Sequence, residues 1–217
     1  ADRLLDMGFI HDINKIGDAI PKTCQTLLFS ATMPKGVVMI AKKLLKDPIR
    51  IKTNVESAPA STIKQKMYYV DPDNKKKLLV DLIRNEYNDN VLVFVRTKNN
   101  AERLTKYLNK AGIESMAIHG DKSQNQRTKA LRGFKEYKFQ VLVATDVAAR
   151  GIDIDKLSCV VNYNIPSEAE VYVHRIGRTG RAGAVGESVA FCDYGERELL
   201  KDVERLMDME IDVIKDH

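Results

Sequence analysis

The run His174-Arg175-Ile176-Gly177-Arg178-Thr179-Gly180-Arg181-Ala182-Gly183 interleaves three arginines with three glycines. A guanidinium presents a rigid fork of donors that matches a phosphate, and glycine lets a backbone turn sharply and approach a ligand closely. Arginines held in this way stabilise charge on a phosphoryl group in transfer, an effect worth roughly a thousandfold to a hundred-thousandfold in rate. Similar runs also occur as solvated surface and in disordered tails. The flanks exclude a tail, because an apolar helix is predicted before the run and an apolar strand, Ser188 to Phe191, after it. The cluster therefore lies inside a fold.

A second set of polar residues follows short apolar runs. Val91-Leu92-Val93-Phe94-Val95 leads into Arg96-Thr97, the run ending at Ile118 into His119-Gly120-Asp121, Val141-Leu142-Val143-Ala144 into Thr145-Asp146, and Leu27-Leu28-Phe29 into Ser30-Ala31-Thr32. In open parallel sheets, ligands bind beyond the carboxyl ends of the strands. Each residue alone also reads as turn or cap chemistry, Thr97 capping the next helix and Gly120 satisfying a tight turn. Taken together they put hydroxyls and backbone amides on one rim, where Ser123 opens a helix carrying Gln124 and Arg127 one turn apart. That arrangement suits a row of phosphates, and a nucleic-acid backbone is such a row.

No G-x-x-x-x-G-K-[ST] loop occurs in the sequence, so the element that cradles the β and γ phosphates of a nucleoside triphosphate and brings in magnesium is missing. The expectation is that this chain alone does not hydrolyse ATP, and that its arginines complete a phosphate site whose other wall lies upstream of Ala1. The opening Ala1-Asp2-Arg3-Leu4-Leu5-Asp6 starts in mid-pattern and reads as a piece of a longer protein.

The elements that must position these residues alternate between apolar runs and amphipathic stretches, the mark of an α/β fold with a parallel sheet wrapped by crossover helices. Residues 9–20 and 34–46 are predicted helical, with buried strands at Thr26 to Phe29 and Ile49 to Lys52. The stretch from Asn54 to Gln65 is small, polar and aperiodic, as linkers are. The domain reading is therefore a fragment at 1–53, a linker at 54–66 and a complete domain at 67–217. Within the latter, strands are predicted at 67–70, 91–95, 115–118, 141–144, 159–163 and 187–192, and helices near 73–86, 98–111, 124–136, 168–177 and 195–209. Ser123-x-x-Gln126 and Ser167-x-x-Glu170 both fit a capping box.

Composition excludes other classes. Of the 217 residues 44% are hydrophobic and 30% charged, a globular balance, and no apolar run reaches the roughly 20 residues of a membrane span. A formal charge of +5 and a pI near 9.0 lean weakly toward a polyanionic partner. Cys24, Cys159 and Cys192 show neither a C-x-x-C pair nor metal-ligand spacing, which predicts buried free thiols in a reducing cytosol and no metal site.

These residues resemble the DEAD-box RNA helicases of superfamily 2 over essentially the whole chain and in the family's order, with wording closest to bacterial RhlE-like members. Ala1-Asp2 followed by Arg-Leu-Leu-Asp-Met-Gly-Phe is similar to the end of the D-E-A-D signature and its continuation, and Ser30-Ala31-Thr32 to the S-A-T motif. Val93-Phe94-Val95-Arg96-Thr97 resembles motif IV, and His119-Gly120-Asp121 with Gln124-x-x-Arg127 the next RNA-contacting motif. Ala144-Thr145-Asp146-Val147-Ala148-Ala149-Arg150-Gly151-Ile152-Asp153-Ile154 resembles motif V, and His174 to Arg181 motif VI.

The resemblance implies a RecA-like doubly wound parallel sheet preceded by the end of a second RecA-like domain. It implies that Thr97, Gly120, Gln124, Arg127 and Thr145 hold RNA phosphates and that Asp153 binds the ATP ribose. Arg178 and Arg181 would reach the γ-phosphate, while Asp2, Ser30, Thr32, Arg150 and His174 would couple the lobes. ATP and Mg2+ would be bound mainly by the first domain, whose phosphate loop, adenine-reading motif and water-positioning acid precede Ala1. The implied partners are RNA, single-stranded or as a short duplex, and the amino-terminal RecA-like domain, in the cytoplasm and away from membranes. Two other readings stand beside this one. A DNA-directed superfamily 2 translocase would share the fold and the arginine motif, and ATPase stimulation by RNA against DNA separates it. A non-catalytic RNA-binding adaptor is separated by RNA-dependent phosphate release with an added first lobe.

Overall fold

The computed structural model describes residues 1–6, 8–21, 23–30, 33, 35–52, 63–149, 154, 157–180 and 186–215. The chain divides into two compact units, Ala1–Asn54 and Val55–His217.

The first unit carries helices α1 (Asp2–Asp6), α2 (Ile10–Ala19) and α3 (Lys35–Leu44). The two runs predicted here as strands, Thr26 to Phe29 and Ile49 to Lys52, form no strand and belong to no sheet. They are not buried either: Leu27 is 67% exposed, Phe29 80%, Ile49 90% and Ile51 84%. A strand exists only with a neighbouring strand to pair its amides and carbonyls, and neither run pairs with one among the described residues.

The second unit is built on a seven-stranded, all-parallel sheet in the order β3-β4-β2-β5-β6-β1-β7. Its strands are β1 (Ile63–Tyr69), β2 (Val91–Phe94), β3 (Ser115–Ile118), β4 (Val141–Ala144), β5 (Cys159–Asn162), β6 (Gly186–Cys192) and the short edge strand β7 (Asp212–Val213). The helices are α4 (Lys75–Asn85), α5 (Lys98–Lys110), α6 (Gln124–Lys135), α7 (Asp146–Ala149), α8 (Ala169–Ile176) and α9 (Arg197–Met207). Strands β2, β4 and β5 are buried at every position, as expected of a parallel sheet covered on both faces.

Alternation along each strand divides the core in two. Val91, Val93, Val141, Val143, Cys159, Val161, Val189 and Phe191 face one layer with Leu79, Leu82, Leu104 and Leu108 of α4 and α5. On the other face, Leu92, Phe94, Leu142 and Ala144 meet Ala130 and Phe134 of α6, and Met67, Ala190 and Cys192 meet Tyr172, Ile176, Leu200 and Val203 of α8 and α9.

Three further expectations are corrected. β1 begins at Ile63, not at 67, so Ile63 to Lys66 lie in the sheet and not in the expected linker. Polar Gln65 and the flanking lysines hide a period-two pattern in which Ile63, Gln65 and Met67 point inward. The Ser167-x-x-Glu170 capping box does not form, because α8 starts at Ala169 and its N-cap is Glu168, which makes no side-chain cap bond. Cys24 is exposed, while Cys159 and Cys192 are buried. Among the described residues, no helix is long and apolar enough to cross a membrane.

Candidate nucleic-acid and nucleotide interface

Strands β3, β4 and β2 lie side by side, so the turns at their carboxyl ends share one rim. Thr97 caps α5, its hydroxyl accepting from the Asn100 amide at 3.1 Å. The cap uses one lone pair and leaves the hydroxyl proton to donate. Lys98, the next residue, pairs with Asp121 at 2.7 Å and so ties the start of α5 to the turn that carries Gly120. That turn is closed by the Lys122 amide on the His119 carbonyl at 3.1 Å. A Cβ at Gly120 would meet nothing within 4 Å, and Gly120 does not have a positive φ. The fold itself thus does not require glycine at this position, contrary to the tight-turn reading.

Behind the rim, buried His119 meets Glu102 at 2.8 Å, and Lys122 meets the same carboxylate at 2.6 Å. Hydrogen bonds from Lys122 and then His119 hold the Glu102 carboxyl below its ordinary range. Ser123 caps α6 in a complete capping box, accepting from the Gln126 amide at 3.3 Å while its own amide donates to Gln126 Oε1 at 2.9 Å. Gln124 opens that helix and is exposed. One turn on, Arg127 donates to the Ala148 carbonyl at 3.1 Å. Ala148 lies on α7, whose first turn is closed by the Thr145 carbonyl, and the Thr145 amide donates to Ile118 at 3.2 Å. Thr97, Gly120, Gln124, Arg127 and Thr145 are thereby brought onto one rim by contacts between their immediate neighbours.

The arginine cluster divides by depth. Tyr172, Arg175 and Ile176 form the buried face of α8, whereas His174 points to the exposed side. Arg175 grips Asp146 with two bonds of 2.7 and 2.8 Å, donates to Asn162 Oδ1 at 3.0 Å and the Asn164 carbonyl at 2.8 Å, and stands 5.1 Å from the Phe94 ring centroid. It bolts α8 to the ends of β4 and β5. Sequence reasoning gave Arg175 no role, although its spacing with Tyr172 and Ile176 marks the inner face.

Arg178 follows the helix, half-buried, and its carbonyl accepts from Leu157 at 3.2 Å. Thr179 bonds the Leu157 carbonyl through its hydroxyl. Gly180 has φ +65°, which glycine adopts without strain, and a Cβ at Gly186 would lie 2.0 Å from the Thr179 hydroxyl. These two glycines are required by the backbone and by close packing. Arg150, Asp153 and Arg181 lie outside the described residues, as does Thr32. In the first unit the structure joins Asp2 to Ser30, the Asp2 amide donating to the Ser30 hydroxyl at 3.0 Å.

A second polar centre, absent from the sequence reading, lies along the same rim beyond β5. Buried Lys75 pairs with Glu196 and with Asp193 at 2.8 Å, and Glu196 in turn holds Arg96 at 2.8 Å and Asn164 at 3.1 Å. Arg96 also donates to the Ile165 carbonyl at 3.2 Å. Burial pushes the Asp193 carboxyl up, but the hydrogen bond and charge of Lys75 outweigh it and leave the carboxyl below its ordinary range. Since these partners come from four separate elements, no local spacing signals them.

Comparison with known proteins agrees with this geometry. The helicase conserved C-terminal domain matches residues 74–183. The chain is 41% identical over 213 residues to the ATP-dependent RNA helicase DeaD of Buchnera aphidicola, covering 97% of this chain and 35% of that protein. It is 35% identical to the Escherichia coli DEAD-box protein SrmB, seen bound to the regulator of ribonuclease activity A, covering 70% of this chain and 90% of that one with a TM-score of 0.66. Saccharomyces cerevisiae Dbp5 bound to RNA and ADP BeF3 superposes with a TM-score of 0.82 at 31% identity, covering 92% and 54%. The chain spans less than half the length of the curated relatives it matches, 35% to 44%. On its sheet, its strand-end residues and this similarity, the chain belongs to the DEAD-box helicase family and carries that family's RecA-like C-terminal domain.

Proposed function

We propose that this chain is the carboxy-terminal part of an ATP-dependent RNA helicase, in which the unit Val55–His217 is the second lobe and residues 1–53 end the first. In this reading Thr97, Gly120, Gln124, Arg127 and Thr145 bind RNA phosphates. Asp153 binds the ribose of ATP, Arg178 and Arg181 act on its phosphates, and Asp2, Ser30, Thr32, Arg150 and His174 couple the lobes. The observation that carries it is the gathering of hydroxyls, a guanidinium and a sterically open glycine on the ends of three adjacent strands. Gly120 in particular has room for a side chain that the sequence does not use, as a close-lying backbone ligand requires.

Phosphate contacts fix register without reading sequence, so RNA binding by this lobe is expected to be weakly selective and to fall with salt. ATP fits the guanidinium donors of the arginine cluster as an anionic ligand; when bound, it supplies the phosphoryl group whose transfer those donors stabilise. Magnesium would be held mainly by the first domain, as the resemblance implies. Closing of two lobes on ATP and RNA would bend one strand and part a short duplex, in the cytoplasm as the resemblance implies.

The test has two arms. Titrating labelled single-stranded RNA at several salt concentrations should give weak binding, with Arg127→Ala lowering the salt slope by about one charge. Tight, salt-insensitive binding would refute the phosphate reading. Adding a first lobe that carries a phosphate loop should give RNA-dependent phosphate release, lost in Arg178→Ala and Arg181→Ala with the fold intact. Unchanged release in those variants would end the finger assignment.

A further inference from the structure

Tyr194 is the most exposed of the eight tyrosines, at 84%, and Tyr69 is 49% exposed. The Arg197 guanidinium lies against both rings, 5.1 Å from the Tyr194 centroid and 5.2 Å from that of Tyr69. Arg197 makes no ion pair among the described residues. All three residues sit where β1 and β6 end, on the same carboxyl rim as Thr97, Gly120 and Thr145.

The backbone under this stack is held with unusual firmness for a surface turn. Asp193 accepts from the Gly195 amide at 3.0 Å and from the Lys75 ammonium at 2.8 Å, and its amide donates to Glu196 at 3.4 Å. Glu196, one residue before Arg197, holds Arg96 at 2.8 Å, and Arg96 immediately precedes Thr97. The stack is thus fixed to the candidate phosphate-binding turn through a single buried carboxylate.

We propose that Tyr194, with Arg197 and Tyr69 behind it, is a base-stacking site that extends the RNA track along this rim. This inference rests on the RNA reading above. A guanidinium can cover only one face of the Tyr194 ring, and the ring's exposure leaves the other face open to a nucleobase. The Arg197 charge suits the phosphate of the same nucleotide. Stacking of this kind accepts any base, because every base has a π face, so the site adds affinity without adding sequence preference. Pre-set aromatic geometry also keeps the ordering cost of binding low.

The experiment measures binding of the whole chain to fluorescent oligouridylate and to an oligomer of the same length made wholly of abasic ribose phosphate, by anisotropy at several salt concentrations. Tyr194→Ala should weaken oligouridylate binding about fivefold, the low end for loss of one base stack on an open surface. Its salt slope should stay that of the wild type, since no phosphate contact is removed. Tyr194→Phe should bind as the wild type does, and the abasic oligomer should not distinguish Tyr194→Ala from wild type. If Tyr194→Ala binds oligouridylate as tightly as wild type while Arg127→Ala weakens it, the stacking site is refuted and the phosphate track stands. An equal loss on the abasic oligomer would also refute base stacking. Failure of the wild-type chain to bind either oligomer would overturn both readings.

Discussion

In the unit Val55–His217 the run Val141–Ala144 lies between two parallel neighbours and is wholly buried. In the unit Ala1–Asn54 the similarly apolar run Thr26 to Phe29 pairs with no described strand and leaves Leu27 67% and Phe29 80% exposed. The two runs obey the same local rules and reach different ends. Hydrophobicity makes a strand worth burying, but only neighbours on both edges and helices on both faces bury it. The second unit supplies those neighbours from its own sequence. The contrast also separates the candidate site residues: those of the second unit stand on a pinned rim, whereas in the first unit the Asp2 amide donates to the Ser30 hydroxyl beside a run that joins no sheet.

The sharpest way to break this comparison is to remove the bolt of the second unit. Arg175→Ala strands the Asp146 carboxylate and two amide partners, and should cost about 3–5 kcal/mol, read from urea unfolding followed by circular dichroism. A loss below 1 kcal/mol would mean that the rim is held by something else. Next in size is a matched pair. Leu142→Ala, at a fully buried position, should cost about 3 kcal/mol, and Leu27→Ala within about 0.5 kcal/mol. Comparable losses would erase the distinction between the runs.

Acid should expose the difference again, more gently. The Asp193 carboxyl titrates below its ordinary range in the folded protein, so the stability it contributes is complete above pH of about 4 and is lost as pH falls through its folded value. The urea midpoint of the second unit should therefore decline below about pH 4, and Asp193→Asn should flatten that decline. Lys43 and Asp18 in the first unit form an exposed pair at 3.7 Å and should add nothing measurable. The smallest effect concerns thiols. Cys24 should react promptly with Ellman's reagent in the native protein, while Cys159 and Cys192 wait for unfolding. Burial pushes the Cys192 thiol up to about 11 and raises that of Cys159 as well.

Much of the second unit was legible in advance because its signals are local. Continuous apolar runs placed β2 to β5 within a residue, and the Ser123 box fixed the start of α6. β1 was harder to read because Gln65 and the surrounding lysines break its apolar face, and parallel pairing with Gly186–Cys192 lies more than a hundred residues away. The Ser167 box failed for a similar reason. Its spacing is correct, but the helix starts at Ala169, and capping acts only at the true first turn.

The site shows the same divide. The sequence alone determined which residue types gather after each strand, since alternation and turn chemistry are written within a few residues of one another. It also determined that the chain lacks a phosphate loop. Only the tertiary structure decided that Arg175 is a buried bolt while Arg178 stands half-buried beyond it, that Gly120 has room to spare while Gly186 has none, and that Lys75, Asp193, Glu196 and Arg96 form one cluster. Sidedness, free space and ion pairing depend on which distant segments pack together, and no short-range pattern encodes that.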